Sequence, residues 1–307
     1  MKPATEKTFE TAPTSVPYGI EQSLMIRGSQ TRYWEYGTLD GPLLVLIHGF
    51  RGDHHGLQYI AAHLQKYRVI IPDLPGFGRS EELPHTTHNI HGYTSWLHEL
   101  LTHLAPPEQI HLIGHSFGSI ICSHYLASTG SPLMGLTLIN PISQPALESS
   151  KKAMSILAQG YYAAGKKLPK SLGTALLKNS LITRITSEFM MKNHDPQLRV
   201  IINGQHHAYF SAFSSRTALA EAYTASVTHT AAECIHNVRI PVQMIVAECD
   251  DLGTMKTQQA MWQAVTRGRF DVIPQVGHLI HYETPARAAH LITDFHQSLI
   301  EAKDITA

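Results

Sequence analysis

The sequence predicts an α/β architecture, with a mostly parallel central sheet flanked by helices and a helical insertion. Three observations carry this: apolar runs alternate with longer amphipathic stretches, the runs stop at Gly, Pro, Asp or Asn, and the alternation breaks between residues 141 and 237. Six runs read as buried strands: 43–47 (LLVLI), 67–71 (YRVII), 110–113 (IHLI), 136–139 (LTLI), 242–246 (VQMIV) and 269–273 (RFDVI). They are rich in β-branched residues and bounded by turn formers. Helical patterns at 57–65, 93–104, 117–127, 254–265 and 285–299 lie between or after them. Strand and helix in alternation imply parallel strands with helices on both faces. Upstream, residues 21–26 and 32–36 flank Gly28 and Ser29 and read as an antiparallel hairpin at the sheet edge.

Residues 141–237 lack strand runs and hold helix-compatible pieces at 149–164, 172–185 and 218–234, punctuated by Pro169 and Pro196. The segment separates the strand ending at Asn140 from the one starting at Val242. The expected organisation is therefore a flexible N-terminal arm over 1–19, a core from 20–140 and 238–307, and a helical cap over 141–237 above the carboxyl edge of the sheet. The opening MKPATEKTFETAPTSVPYG has no apolar segment of the kind a secretory signal needs. No run approaches the roughly 18 apolar residues of a membrane span, so no transmembrane helix is expected.

Hydrophobic residues make up 43% of the 307, enough for a sizeable core. Lys plus Arg and Asp plus Glu both number 24, and a net charge of zero argues against an electrostatic nucleic-acid binder. The three cysteines, Cys122, Cys234 and Cys249, are odd in number and widely spaced, which predicts reduced thiols and a cytoplasmic setting. The 21 histidines are scattered, the pairs His54-His55 and His206-His207 are adjacent and so are not expected to share a helix face, and no His-Glu-x-x-His occurs. No metal and no organic cofactor is expected.

The chemistry concentrates in Gly114-His115-Ser116-Phe117-Gly118, which follows the run IHLI and opens the helical pattern FGSIICSHYLA. A G-x-S-x-G sequence in strand–turn–helix context forms a tight turn that lifts the serine hydroxyl clear of the sheet. Ser116 is the predicted nucleophile. A serine hydroxyl needs a base, and His278, in VGHLIHYETP after the last strand, meets that need. His281 lies closer to the following helix and lacks a preceding glycine, and His115, beside the serine, reads as packing. The base needs an acid to hold its tautomer. Asp250 and Asp251 follow VQMIV and give the chain order Ser, Asp, His; Asp294 reads as a helix charge, and Glu248 would serve only if the strand ended early. The oxyanion donors expected are the backbone N–H groups of Phe117, after the nucleophile, and Phe50, in the turn His48-Gly49-Phe50.

Taken together, IHGF, PDLPGFGRS at 72–80, GHSFG, IPVQMIVAECDD and VGHLIHYETP resemble the α/β-hydrolase superfamily in its branch with a helical cap. The likeness spans about residues 43 to 285. Its register, counted from Pro241, places the acid on Asp250, with Ala247 standing where glycine is usual, and it makes Asp73 structural. Relatives with Asp at the nucleophile position work on halides or epoxides; Ser116 speaks against both. The resemblance implies hydrolysis of a carboxylic ester, or a related acyl compound, through an acyl-enzyme on Ser116. C–C bond hydrolysis of a ring-cleavage dione is an alternative, although HGFRGD departs from the HG-x-G-P of such relatives. Thioesterase or amidase activity and an inactive ligand-binding receptor are the others. The expected partner is a small, partly apolar substrate, received among cap residues such as Tyr161, Tyr162, Phe189, Met190, Tyr209, Phe210 and Phe213.

Overall fold

The computed structural model describes residues 16, 18–145 and 152–304. The greater part of the expected N-terminal arm, residues 1–15, lies outside them. Eight strands form one sheet: β1 (Ile20–Ile26), β2 (Ser29–Gly37), β3 (Leu43–Ile47), β4 (Arg68–Pro72), β5 (Ile110–His115), β6 (Gly135–Ile139), β7 (Val242–Ala247) and β8 (Gly268–Ile273), in the order β1-β2-β4-β3-β5-β6-β7-β8. The hairpin β1–β2 sits at one edge, and β2 pairs antiparallel with β4. All pairings from β4 to β8 are parallel.

Side-chain alternation divides the core in two. On β3, Leu43, Val45 and Ile47 join one cluster, with Tyr93 and Trp96 of helix α2 (Ile90–Leu104) and Ile120 and Ile121 of α3 (Phe117–Thr129). Leu44 and Leu46 point the other way, with Leu57 and Ile60 of α1 (His54–Ala61) and Ile292 of the C-terminal helix. A strand buried on both faces must read as an unbroken apolar run, which is what LLVLI does. The run RFDVI behaves otherwise. It was expected to be buried, but β8 is the outer strand, paired only with β7, and Val272 is 42% exposed.

The insertion between β6 and β7 holds α4 (Lys152–Lys167), α5 (Lys170–Leu177), α6 (Ser180–Met190), α7 (Pro196–Tyr209) and α8 (Arg216–Thr228). Capping explains where the helices depart from the periodicity. The single helix expected over 172–185 is two, because the Asn179 side chain accepts from Leu181 N and Ile182 N and starts α6 afresh. Asp195 caps α7, with Pro196 in its first turn. The helix expected over 218–234 stops at Thr228, since Thr230 and Glu233 bond reciprocally to each other's backbone N–H and open a new turn. After β7 come α9 (Met255–Trp262), α10 (Ile280–Glu283) and α11 (Pro285–Asp304). No helix among the described residues is long and apolar enough to cross a membrane.

Among the bonds that hold the insertion to the core, three sets lie nearest the loops after β3, β4 and β8. Buried Arg51, just after β3, donates from Nε to Phe210 O at 3.0 Å and from Nη2 to Leu177 O at 2.9 Å. Gly78 N donates to Ala212 O, and Ser214 N to Gly76 O, which joins the PDLPGFGRS loop to the segment after α7. Glu283 accepts from Lys192 N.

A polar chain runs through the buried sheet. His111 bonds Thr137, Thr137 donates to Gln243, and Gln243 donates to Asp271 and to Leu291 O. The other ring nitrogen of His111 meets His296 of α11 at 3.2 Å. Burial pushes the pKa of His296 down to about 4, and that of His206 on α7 likewise to about 4. Such an imidazole stays neutral when folded and gains its proton on unfolding, so its contribution is complete above about pH 6.5 and is lost as pH falls toward the folded value. Urea unfolding at pH 7 and pH 5 should show a loss on the order of 1–2 kcal/mol for each such histidine at pH 5. Equal stability at the two pH values would contradict their burial as neutral groups.

Candidate active site

The turn between β5 and α3 is set by sterics. Ser116 has φ 53° and ψ −116°, a strained conformation for a residue with a side chain. A Cβ on Gly114 would lie 2.6 Å from Gly118 O, and one on Gly118 would lie 2.2 Å from Ile47 O. Only glycine at both places lets the first turn of α3 close against β5 and β3. Ser116 N donates to Ile139 O at 3.1 Å, and Ser119 Oγ donates to Ser116 O at 2.5 Å.

Opposite the serine hydroxyl stands His278, on the loop between β8 and α10. Its Nε2 lies 2.8 Å from Ser116 Oγ and its Nδ1 lies 2.9 Å from Asp250 Oδ2. An ionised carboxylate only accepts, so Nδ1–H donates to Asp250 and Nε2 is free to accept from the hydroxyl. Asp250 is buried, and its Oδ1 accepts from Leu252 N at 2.8 Å, which fixes the carboxylate plane. Asp251 points elsewhere and forms an ion pair with Lys192 at the end of α6. Glu248 accepts from Gln275 N, and Asp294 stands 3.5 Å from His290.

The other candidates fall into supporting places. His115 is buried; its Nε2–H donates to His278 O at 3.3 Å, and burial, with His278 alongside, pushes its pKa down to about 3. His281 is buried with its ring 4.3 Å from that of His115, and burial holds its pKa well below the usual histidine range. The turn carrying Phe50 packs on Ser116: a Cβ on Gly49 would lie 3.1 Å from Ser116 Cβ. Phe117 opens α3, where first-turn N–H groups have no carbonyl within the helix to bond.

Two supports went unread in the sequence. His48 Nε2 accepts from Leu74 N at 2.9 Å while Nδ1–H donates to Gly49 O at 2.8 Å, which locks the turn before Phe50; burial lowers its pKa and keeps it neutral. Asn140, at φ 43°, donates to His278 O at 2.9 Å and Gly277 O at 3.2 Å and accepts from Ala247 N at 2.8 Å. It thereby ties the histidine loop to the strand that precedes Asp250. Its only signal was an asparagine at a strand end, where the left-handed conformation is tolerated.

A cavity of about 640 Å³ opens above Ser116 and His278. Its lining is mostly apolar and includes Phe50 with, from the insertion, Tyr161, Tyr162, Phe189, Met190, Tyr209 and Phe210. Phe213, also expected there, instead bridges to Phe77 and lies under Lys178.

Residues 44–291 match the sequence model of the Alpha/beta hydrolase family. The chain belongs to that family. This hydrolase is 24% identical over 308 residues to Lipase 1 of Psychrobacter immobilis, covering 97% of the chain and 90% of the relative. To Lipase 3 of Moraxella sp. (strain TA144) it is 23% identical over 284 residues, covering 90% and 84%. Its fold is that of a thermophilic esterase from Thermogutta terrifontis, with a TM-score of 0.70 at 21% identity, covering 91% of this chain and 99% of the other.

The glycine contacts give a signed expectation for the hydrolase. Gly118→Ala should lower unfolding free energy by about 2 kcal/mol or more, because backbone must move. Gly160→Ala, in α4 with nothing within 4 Å of the new methyl, should raise it by roughly 0.5–1 kcal/mol. Urea unfolding of both variants checks this, and equal effects would contradict the steric account of the turn.

Proposed function

We propose that the protein is a serine hydrolase of carboxylic esters, with Ser116 as nucleophile, His278 as general base and acid, and Asp250 as the acid that orients it. The observation that carries this reading is the unbroken chain Ser116 Oγ–His278 Nε2 at 2.8 Å and His278 Nδ1–Asp250 Oδ2 at 2.9 Å, opening into a mostly apolar cavity. The lipase relatives along nearly the whole chain support ester chemistry.

In the forward step Ser116 Oγ attacks the ester carbonyl as its proton passes to His278 Nε2. Asp250 stabilises the imidazolium without taking a proton itself. Negative charge gathers on the carbonyl oxygen, and the backbone N–H groups of Phe50 and Phe117 receive it. His278 then protonates the departing alcohol and leaves an acyl-Ser116. Water enters, loses a proton to the same nitrogen, and releases the acid. Every proton moves through one imidazole, so its neighbours matter. His115 and His281 stay neutral by burial and add no positive charge beside it.

Residues 141–237 act in this reading as the cap that selects the acyl group, since their aromatic side chains roof the cavity. The substrate is small and partly apolar. No organic cofactor enters the scheme. The thiols of Cys122, Cys234 and Cys249 are free, in keeping with a cytoplasmic setting.

Exchange of the two neighbouring acids tests the assignment. On a p-nitrophenyl ester at pH 8, Asp250→Asn should lower kcat by at least about a hundred-fold, because the amide favours the wrong imidazole tautomer. Asp251→Asn, which gives up the ion pair with Lys192 and no bond to His278, should cost a few-fold at most. The reverse ranking would overturn Asp250 as the acid.

A further inference from the structure

A group of side chains away from the reaction centre has the donor set of a metal site. His124 lies on α3, two turns beyond Ser116, about 12 Å along the axis at about 1.5 Å per residue. His229 is the residue at which α8 ends, and Glu233 stands in the turn that follows. Glu233 Oε1 is already committed to the backbone N–H of Thr230 at 2.9 Å, which directs its other oxygen outward. That oxygen, Oε2, lies 3.2 Å from His229 Nδ1 and 3.5 Å from His124 Nε2. The three donor atoms lie within 4.8 Å of one another. Donors held about 2.0–2.2 Å from one ion sit about 2.9–3.5 Å apart at octahedral or tetrahedral angles, so both measured edges have the length that a shared ion requires. Thr230 O, 3.1 Å from His124 Nε2, offers a fourth oxygen on the same side.

We propose that His124, His229 and Glu233 form a binding site for a divalent transition-metal ion of the zinc type. Two imidazoles and one carboxylate are the donors zinc takes. In the bare protein His124 donates from Nε2 to Thr230 O. On binding, that proton moves to Nδ1, which leaves a neutral tautomer with a lone pair on Nε2; the hydrogen that His229 Nδ1 gives to Glu233 Oε2 in the bare protein likewise passes through solvent to Nε2, and Nδ1 coordinates. The side chains of His229 and Glu233 are 41% and 40% exposed, so the ion has an open path. Asp53, His54 and His55 also bring their donor atoms within 4.8 Å of one another, but that group is engaged in other work. His54 Nδ1 is bonded to Asp73, Asp53 caps α1, and the rings stack on Trp34 and Tyr209.

The ion would act as a staple. It would join α3, whose first turn follows Ser116, to the point where the helical insertion returns toward the sheet, at a distance that keeps it out of the chemistry. The effect expected is on the stability of that junction rather than on the reaction.

Isothermal titration of the chelator-treated full chain with Zn2+ tests the site. Wild type should bind one ion saturably, and Zn2+ should raise its Tm. His124→Gln and His229→Gln should each weaken binding by about tenfold or more and abolish the Tm increase. Co2+ in place of Zn2+ should give a visible absorption band in wild type that His229→Gln lacks. His55→Gln should bind Zn2+ as wild type does. Should His124→Gln fail to fold, the exposed His229→Gln carries the test. No saturable binding by wild type, or undiminished binding by His229→Gln, would overturn the proposal.

Discussion

Gly118 lets the first turn of α3 rest against the carbonyl of Ile47, and much of the molecule follows from that approach. It sets the distance between α3 and the two central strands and forces Ser116 into its strained turn. It also brings the N-terminus of a helix and the loop after β3 to the same point. The cost of the serine's backbone is met by packing on both sides: LLVLI beneath it and Tyr93, Trp96 and Ile120 beside it, all buried. A flexible turn would need no such surroundings. This one is held because the sheet leaves it nowhere else to go.

Ser116, Asp250 and His278 come from loops after β5, β7 and β8, all at the carboxyl end of parallel strands. The loops are cross-braced. Asn140 at the end of β6 bonds to the His278 loop and to β7, and Glu283 accepts from Gly277 N on the one side and Lys192 N on the other. Burial raises the pKa of Glu283, which places a carboxyl group easily neutralised at the junction between the histidine loop and the insertion. The insertion, through Arg51, Lys192 and the Gly76–Gly78 loop, is thus built into the same frame that aligns the site.

Much of this was legible in the sequence, for identifiable reasons. Buried parallel strands have to be apolar on both faces, so β3, β5 and β7 stand out as runs. The turn at Ser116 needs two glycines in fixed places, so GHSFG is visible without a structure. The sequence was least informative where one residue's role depends on a distant partner. Asn140 and His48 act through side-chain bonds to segments 26 to 138 residues away, which no local pattern encodes. Adjacent His54 and His55 tilt their rings to within 3.8 Å of each other at the start of α1, a contact that their places on a helix do not announce. In the insertion, helix periodicity ran on past Asn179 and Thr228, whereas side-chain caps end and restart the helices.

In the proposed mechanism the strained turn presents Ser116 as an activated nucleophile. The direct test is labelling of the full chain with a fluorophosphonate, followed by peptide mass mapping. One adduct is expected, on the peptide containing Ser116, formed together with loss of esterase activity, and much slower labelling in His278→Gln. An adduct on another residue, or continued ester hydrolysis with Ser116 fully labelled, would contradict it.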